Sequence, residues 1–472
     1  MDFEKIYIDG KWAASDSDGW IEVENPATLE KFARVPACTA SDVDKAARAA
    51  SRAFPAWAAK PLTERRALMQ KFLEILKSNE DALVDITVKE LGSPIAFTRS
   101  TQVRKQFLRV EHYIDLCDKV PFVERTPGST VYRFPIGVVG CITPWNYPLG
   151  QVVQKVVPAL LMGNTVILKP SQHTPLSSYW LADAFDKAGF PAGTFNLVTG
   201  RGAEIGDVIS SHPLVSMVSF TGSTRGGVTV ARRALESVKH VSLELGGKSP
   251  FVILPGAQDL MGAAKTLFNS IFLNAGQTCT AFSRVLIPEA DKDKIMGAFL
   301  EAAKGYTAGD PLDPNVNIGP VASAAQFKKI RSYIAKGLEE GAKLALGKLP
   351  DEDQKGYLIE PVIFTGVKNS MSIARDEIFG PVLCVITYKD EAEALEIAND
   401  TSYGLNAGVW GPTEKALEFA KRIDSGNVYV NASPRDETAP FGGWKMSGLG
   451  REGGLWGLIE FTQQKALYDT KA

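Results

Sequence analysis

The sequence has little of what builds metal or disulfide sites. Its four histidines are scattered with no two close together, so no metal centre is expected. Its five cysteines (Cys38, Cys117, Cys141, Cys279 and Cys384) are odd in number and contain no close pair. That excludes a disulfide framework and a thiolate zinc site, and suits reduced thiols in a cytoplasmic protein. An excess of one charge is missing too: 52 Lys and Arg face 54 Asp and Glu, a net charge of -2. Without a basic stripe there is no footprint of a nucleic-acid binder. Long apolar runs are also lacking. Val138–Ile142 and Val156–Met162 fall far short of the roughly 20 residues a bilayer crossing requires, so no membrane partner is expected. Met1-Asp2-Phe3-Glu4-Lys5, with two acids and no apolar core behind it, does not read as a secretory signal.

Apolar material and glycine are plentiful: 45% hydrophobic residues and 42 glycines over 472 residues suit two or three globular domains. From about Val43 to Leu91 the spacing of Leu68, Phe72, Ile75 and Leu76 predicts helices, broken at Gly92-Ser93-Pro94. Val120–Ile136, β-branched and punctuated by Pro121, Pro127-Gly128 and Pro135, predicts an extended hairpin or arm. From Val138 short buried-type strands alternate with helices up to about Leu245, and a second such stretch runs from Phe251 to about Val430. This rhythm predicts an α/β fold with parallel sheets, whose ligands bind at the carboxyl ends of the strands.

Several segments carry residue types suited to chemistry. Phe220-Thr221-Gly222-Ser223 ends a strand and leads into a helix, whose free N–H groups suit a pyrophosphate; an ordinary turn is the alternative. Gly246-Gly247-Lys248-Ser249 is not an ATP phosphate loop, because the glycine needed five positions earlier is Ser242. Glu244 ends a strand, and becomes a general base if burial raises its pKa. Cys279 lies in a glycine-containing loop instead of an apolar stripe, which suits a reactive thiolate; Cys141 and Cys384 sit in apolar strands and read as core. Asn146 follows a strand and offers an amide donor to an oxyanion. Lys169-Pro170-Ser171 and Glu377-Ile378-Phe379-Gly380-Pro381 offer a lysine for ribose or phosphate oxygens, and an acid and an aromatic for a ribose and a ring.

Taken in order, Pro144-Trp145-Asn146, Lys169-Pro170-Ser171, Phe220-Thr221-Gly222-Ser223, Glu244-Leu245-Gly246-Gly247-Lys248, Gly276-Gln277-Thr278-Cys279, Glu377-Ile378-Phe379-Gly380-Pro381 and Pro440-Phe441-Gly442-Gly443 closely resemble the aldehyde dehydrogenase superfamily in its hydrolytic, acid-forming branch. The resemblance covers essentially the whole chain. It implies a Rossmann-like NAD(P)-binding domain (1–115 and 136–246), an α/β catalytic domain (247–459) and a small β oligomerisation element (116–135 and 460–472) in a homodimer or homotetramer. It implies NAD- or NADP-dependent oxidation of a small-molecule aldehyde to a carboxylic acid. Cys279 would attack the aldehyde, Asn146 and the Cys279 N–H would hold the oxyanion, and Glu244 would activate the water that hydrolyses the thioester. Cofactor contacts would come from Ile142, Trp145, Lys169, Ser171, Gln172, Gly222, Ser223, Glu377 and Phe379. The substrate tunnel would be lined by Tyr147, Gln151, Gln154, Thr278, Thr280 and Phe441. Lys155 and Glu452 match positions that some members use as a proton relay.

Two departures from the family pattern bear on specificity. Gln172 stands where many NAD-preferring relatives have a glutamate that excludes a ribose 2′-phosphate, which leaves NADP open although NAD is favoured. Gln151 and Gln154 stand where relatives often carry apolar residues, which predicts a polar aldehyde. Within enzymes the alternative is a CoA-acylating semialdehyde dehydrogenase, against which Glu244 argues. The alternative of another class is a catalytically silent binding relative, against which intact Cys279, Asn146 and Glu244 argue.

Overall fold

Five parallel strands form the centre of one sheet in the computed structural model, which describes residues 2–468. Across the sheet they run Phe195–Leu197, Thr165–Lys169, Val138–Ile142, Met217–Thr221 and His240–Glu244. They are nearly continuous apolar runs buried on both faces, as strands covered by helices on each side must be. From Val138–Ile142 the chain proceeds to one side, and from Met217–Thr221 to the other. The crevice between these two neighbours is therefore the switch point where such sheets bind ligands.

The edges of this sheet come from distant parts of the chain. Ile6–Ile8 and Lys11–Ala13 extend it antiparallel beyond Phe195–Leu197. Gly448–Leu449 closes the other edge against His240–Glu244. The sequence reading assigned no strands before residue 43, because three-residue strands are too short to show a period. Trp20–Glu24 and Lys31–Pro36 form a separate antiparallel hairpin.

The helices agree with the apolar spacing: Ala40–Ala59, Leu62–Ser78 and Glu80–Leu91, the last ended by Gly92 at φ +77°. Phe72 and Phe185 stack at 4.0 Å in the core between sheet and helices, and the buried Trp57 donates its indole N–H to the Leu160 carbonyl. Between the third and fourth of the five parallel strands in chain order, a wide π turn over Gly202–Gly206 is followed by a short α-helix over Asp207–Ser211.

The second sheet is reached through Leu245–Ser249. Six parallel strands, Val362–Thr365, Val382–Tyr388, Arg284–Pro288, Pro250–Ile253, Asn406–Trp410 and Asn427–Val430, are joined at one edge by antiparallel Lys343–Leu346. The expected arm is an antiparallel hairpin, Val123–Thr126 and Ser129–Pro135, to which Thr462–Leu467 adds a third strand. Residues 469–472, assigned to the same element on sequence, lie outside the described residues. Among the described residues no helix is long and apolar enough to cross a membrane.

Candidate active site

Cys279 lines two cavities at once, one of about 280 Å³ and one of about 150 Å³. It is half-buried where the other four cysteines are fully buried, and all five are free. The loop that presents it is unusual. Asn274, Ala275 and Gly276 all have positive φ, and a Cβ on Gly276 would overlap the Gly380 carbonyl. Non-glycine residues there cost strain, and the loop holds them with hydrogen bonds. The Gln277 side chain donates to the Asn274 carbonyl at 3.1 Å and accepts from Ala322 N–H at 2.8 Å. Burial pushes the Cys279 thiol up to about 12, and the Glu244 and Glu377 carboxylates act in the same direction; the Arg435 charge opposes them. At neutral pH the resting group is a thiol.

Asn146 is fixed by the same loop. Its side-chain N–H donates to the Gln277 carbonyl at 2.9 Å. Its own carbonyl accepts from Gln102 at 3.1 Å and from Asn274 at 3.0 Å. Its amide has a second N–H, and it lines the smaller cavity together with Cys279.

The smaller cavity opens at the switch point of the first sheet. Trp145 and Asn146 enter it from the loop after Val138–Ile142, and Gly222 and Ser223 from the turn after Met217–Thr221. Ser223 caps the helix Thr224–Leu235, its hydroxyl accepting from Gly226 N–H. Glu377 and Phe379 enter from the second sheet's side. Phe379 has φ +63° and meets the Trp145 ring edge-on at 5.5 Å. Glu377 accepts from Gly247 N–H at 2.9 Å, and burial raises its pKa. A Cβ on Gly246 would come within 2.5 Å of that carboxylate, so the glycine makes room for it. Four of the expected cofactor residues stand outside this cavity. Ile142 and Lys169 are paired across neighbouring strands, and Ser171 and Gln172 follow on the next loop. Lys169 is buried, not solvated. Its ammonium donates to the Pro170 carbonyl at 2.7 Å and reaches the Gly200 carbonyl at 3.4 Å, and burial lowers its pKa to about 8.

The larger cavity holds all six expected tunnel residues. Tyr147 and Thr278 share a hydroxyl–hydroxyl hydrogen bond of 2.8 Å, and Gln151, Gln154, Thr280 and Phe441 complete that wall. Arg109, Arg435 and Lys105, which the sequence reading missed, face it as well. Arg435 lies in an irregular segment with no periodic signal, and Arg109 sits on a helix where one more arginine reads as surface.

Glu244 is buried at the end of its strand, with both carboxylate oxygens lacking a hydrogen-bond partner. Burial first, then the nearby Glu452 carboxylate, raises its pKa well above the ordinary value; Lys155 pulls it down. Lys155 and Glu452 form a buried ion pair behind it. Glu452 is positioned by Phe441, with which it exchanges two main-chain hydrogen bonds.

A half-buried thiol at the meeting of two cavities, beside a buried unpartnered carboxyl, can form and break covalent bonds to a small electrophile. The sequence matches the aldehyde dehydrogenase family over residues 12–467. It is 42% identical over 472 residues to a putative aldehyde dehydrogenase of Staphylococcus aureus (strain bovine RF122 / ET3-1), covering 99% of this chain and 98% of that protein. Among solved structures, a variant of aldehyde dehydrogenase C from Pseudomonas syringae complexed with NAD+ and octanal superposes with TM-score 0.96 at 40% identity, covering 99% of this chain and 96% of that one. The Mycobacterium tuberculosis aldehyde dehydrogenase complexed with NAD+ superposes with TM-score 0.96 at 39% identity, covering 99% and 98%. The chain belongs to the aldehyde dehydrogenase family.

Proposed function

We propose that this protein oxidises an aldehyde to a carboxylic acid with NAD+, using Cys279 as covalent nucleophile. The observation that carries this reading is the position of Cys279 at the junction of two cavities, one for each reactant. The smaller cavity fits a dinucleotide on its own chemistry. It has a helix N-terminus for an anion, a carboxylate against Gly247 for ribose hydroxyls, and two aromatic rings beside the thiol. The NAD+ bound in the two solved relatives supports that choice of cofactor. Gly222 and Ser223 would meet the pyrophosphate, Glu377 the nearer ribose and Phe379 the nicotinamide ring. Ile142, Lys169, Ser171 and Gln172 would lie along the adenosine half.

In this mechanism the Cys279 sulfur bonds to the aldehyde carbon and its proton leaves to Glu244 or to water. The second Asn146 N–H and the Cys279 N–H hold the resulting oxyanion. The bound nicotinamide supplies the hydride acceptor. Glu244 then takes a proton from a water that attacks the Cys279 thioester, the carbon–sulfur bond breaks to release the carboxylic acid and return the Cys279 thiolate, and the pair of Lys155 and Glu452 carries the proton away. The first sheet and its helices would form the cofactor domain and the second sheet the catalytic one. The three-stranded arm would join subunits in a homodimer or homotetramer, and the five free thiols suit a cytoplasmic setting.

The test is absorbance of reduced nicotinamide with a panel of aldehydes, for the wild type and for Cys279→Ala. Signal in the wild type that disappears in the variant supports the reading. Equal signal in both removes Cys279 from the reaction.

A further inference from the structure

Every charged side chain lining the larger cavity is a cation: Lys105, Arg109 and Arg435. They gather around a single carboxylate. Arg109 Nη2 meets Glu437 at 2.9 Å, Lys105 Nζ at 2.8 Å and Arg435 Nε at 3.6 Å. Burial alone would raise the Glu437 carboxyl, but Arg109, Arg435 and Lys105 hold it down at about 2. It is therefore ionised at any working pH. Three positive charges against one negative leave an excess of two in a partly buried wall.

The wall also carries unmet hydrogen-bonding capacity. Arg435 Nη2 is buried without a partner, as are Gln151 Oε1 and Gln154 Nε2. A buried donor on a charged group is costly to leave unpaired. The Arg435 guanidinium is held against the Phe441 ring at 4.3 Å, which constrains the plane of its fork. A guanidinium fork on a rigid support, backed by two further cations, matches a planar carboxylate acceptor. A plain alkanal would leave both the charge and the donors unanswered.

Resting on the reading of Cys279 as nucleophile, we propose that the substrate is an aldehyde whose far end carries a carboxylate, bound by Arg435 with Arg109 and Lys105. Gln151 and Gln154 then line the path between the two ends. The product of any aldehyde is itself a carboxylate formed at Cys279. A general attraction for product would slow release for all aldehydes alike, so preference between matched aldehydes isolates the far end.

The experiment compares straight-chain ω-carboxyaldehydes with their methyl esters and with plain alkanals of equal length. The best carboxylated member is expected to exceed its ester and alkanal by about tenfold or more in kcat/KM, mainly through KM. Arg435→Gln should collapse that ratio toward one, and Glu437→Gln, which removes the opposing charge, should widen it. A wild-type ratio at or below one overturns the proposal even if the variants misfold. A preserved ratio in folded Arg435→Gln overturns the assignment to Arg435. Stronger preference for a phosphorylated aldehyde of the same length overturns the choice of carboxylate. Absence of cofactor reduction with every aldehyde, neutral or charged, would instead count against the dehydrogenase reading.

Discussion

The Asn146 side chain donates to the Gln277 main-chain carbonyl at 2.9 Å, joining the two loops on which the proposed oxyanion site depends. An asparagine amide has two N–H groups, and this bond orients both. Replacing Asn146 by Ala removes the donor and loosens the Cys279 loop. The expected loss in kcat is about 100-fold to 1,000-fold, with a smaller change in KM for the aldehyde. Asn146→Asp keeps the size and adds a charge that repels an oxyanion, so it should be at least as slow. Steady-state kinetics on variants of unchanged Tm check this. An Asn146→Asp variant within a few-fold of wild type would exclude the role.

The Cys279 thiol, raised to about 12 by burial and then by the carboxylates of Glu244 and Glu377, should be a poor nucleophile in the free enzyme. Its thiolate fraction increases with pH, so alkylation by iodoacetamide should be slow at pH 7 and accelerate steadily up to the highest pH the fold tolerates. In the proposed site NAD+ would place a positive ring beside the thiol, which would favour the thiolate, so adding it should accelerate alkylation at fixed pH. Mass spectrometry locates the label. Fast labelling of the free enzyme with a midpoint near neutrality would contradict the raised value.

Much of this arrangement was legible in the sequence because parallel sheets impose it. Val138–Ile142 and Met217–Thr221 announce themselves as short apolar strands, and the loops after them must face the switch-point crevice. That put Asn146, Gly222 and Ser223 at the carboxyl ends of strands, where ligands bind, while Trp145 came from the family resemblance; their meeting on one cavity is a finding of the structure. Burial was less legible. Nothing in the residues around Glu244 or Lys169 gives their depth, yet both are buried, because their strands are central and are covered on both faces. The convergence of Lys105, Arg109 and Arg435 on Glu437 was not legible at all. It joins one helix to an irregular segment more than 300 residues away, as the 328-residue separation of Arg109 and Glu437 illustrates, and no local pattern encodes such a meeting.

The second half of the reaction should expose Glu244. If it activates the hydrolytic water, Glu244→Gln should still form the thioester and then stall. One equivalent of reduced nicotinamide per active site would appear as a burst, followed by a slow steady state. Rapid-mixing absorbance measures both phases. A variant that turns over at the wild-type steady-state rate rules Glu244 out as the base.

The neighbours of Glu244 give the sign of its pH dependence. Glu244 acts as a base only when ionised, and its pKa is raised, first by burial and next by Glu452. Hydrolysis should therefore increase with pH across an acid limb. Glu452→Gln removes the like charge and frees Lys155 from its partner, and both changes stabilise ionised Glu244, so the limb should move to lower pH. Lys155→Met removes the opposing cation, so the limb should move to higher pH. Single-turnover hydrolysis of the thioester across a pH series reads the limb directly. Shifts of the same sign in both variants would separate this pair from Glu244.

Gly246 tests the cofactor cavity without touching the nucleophile. Its missing side chain is where the Glu377 carboxylate sits, 2.5 Å from the position a Cβ would take. Gly246→Ala must therefore push Glu377 away or shift the loop that carries Gly247, whose N–H now donates to Glu377 at 2.9 Å. Either response moves the group assigned to the ribose nearest the nicotinamide. The expected result is a KM for NAD+ raised about tenfold or more, consistent with loss of a charge-assisted contact. The KM for the aldehyde should change much less, because the larger cavity contains neither residue. Kinetics with each substrate varied at saturating levels of the other separate the two. Equal increases in both constants would mean that Gly246 maintains the site as a whole instead of its cofactor half.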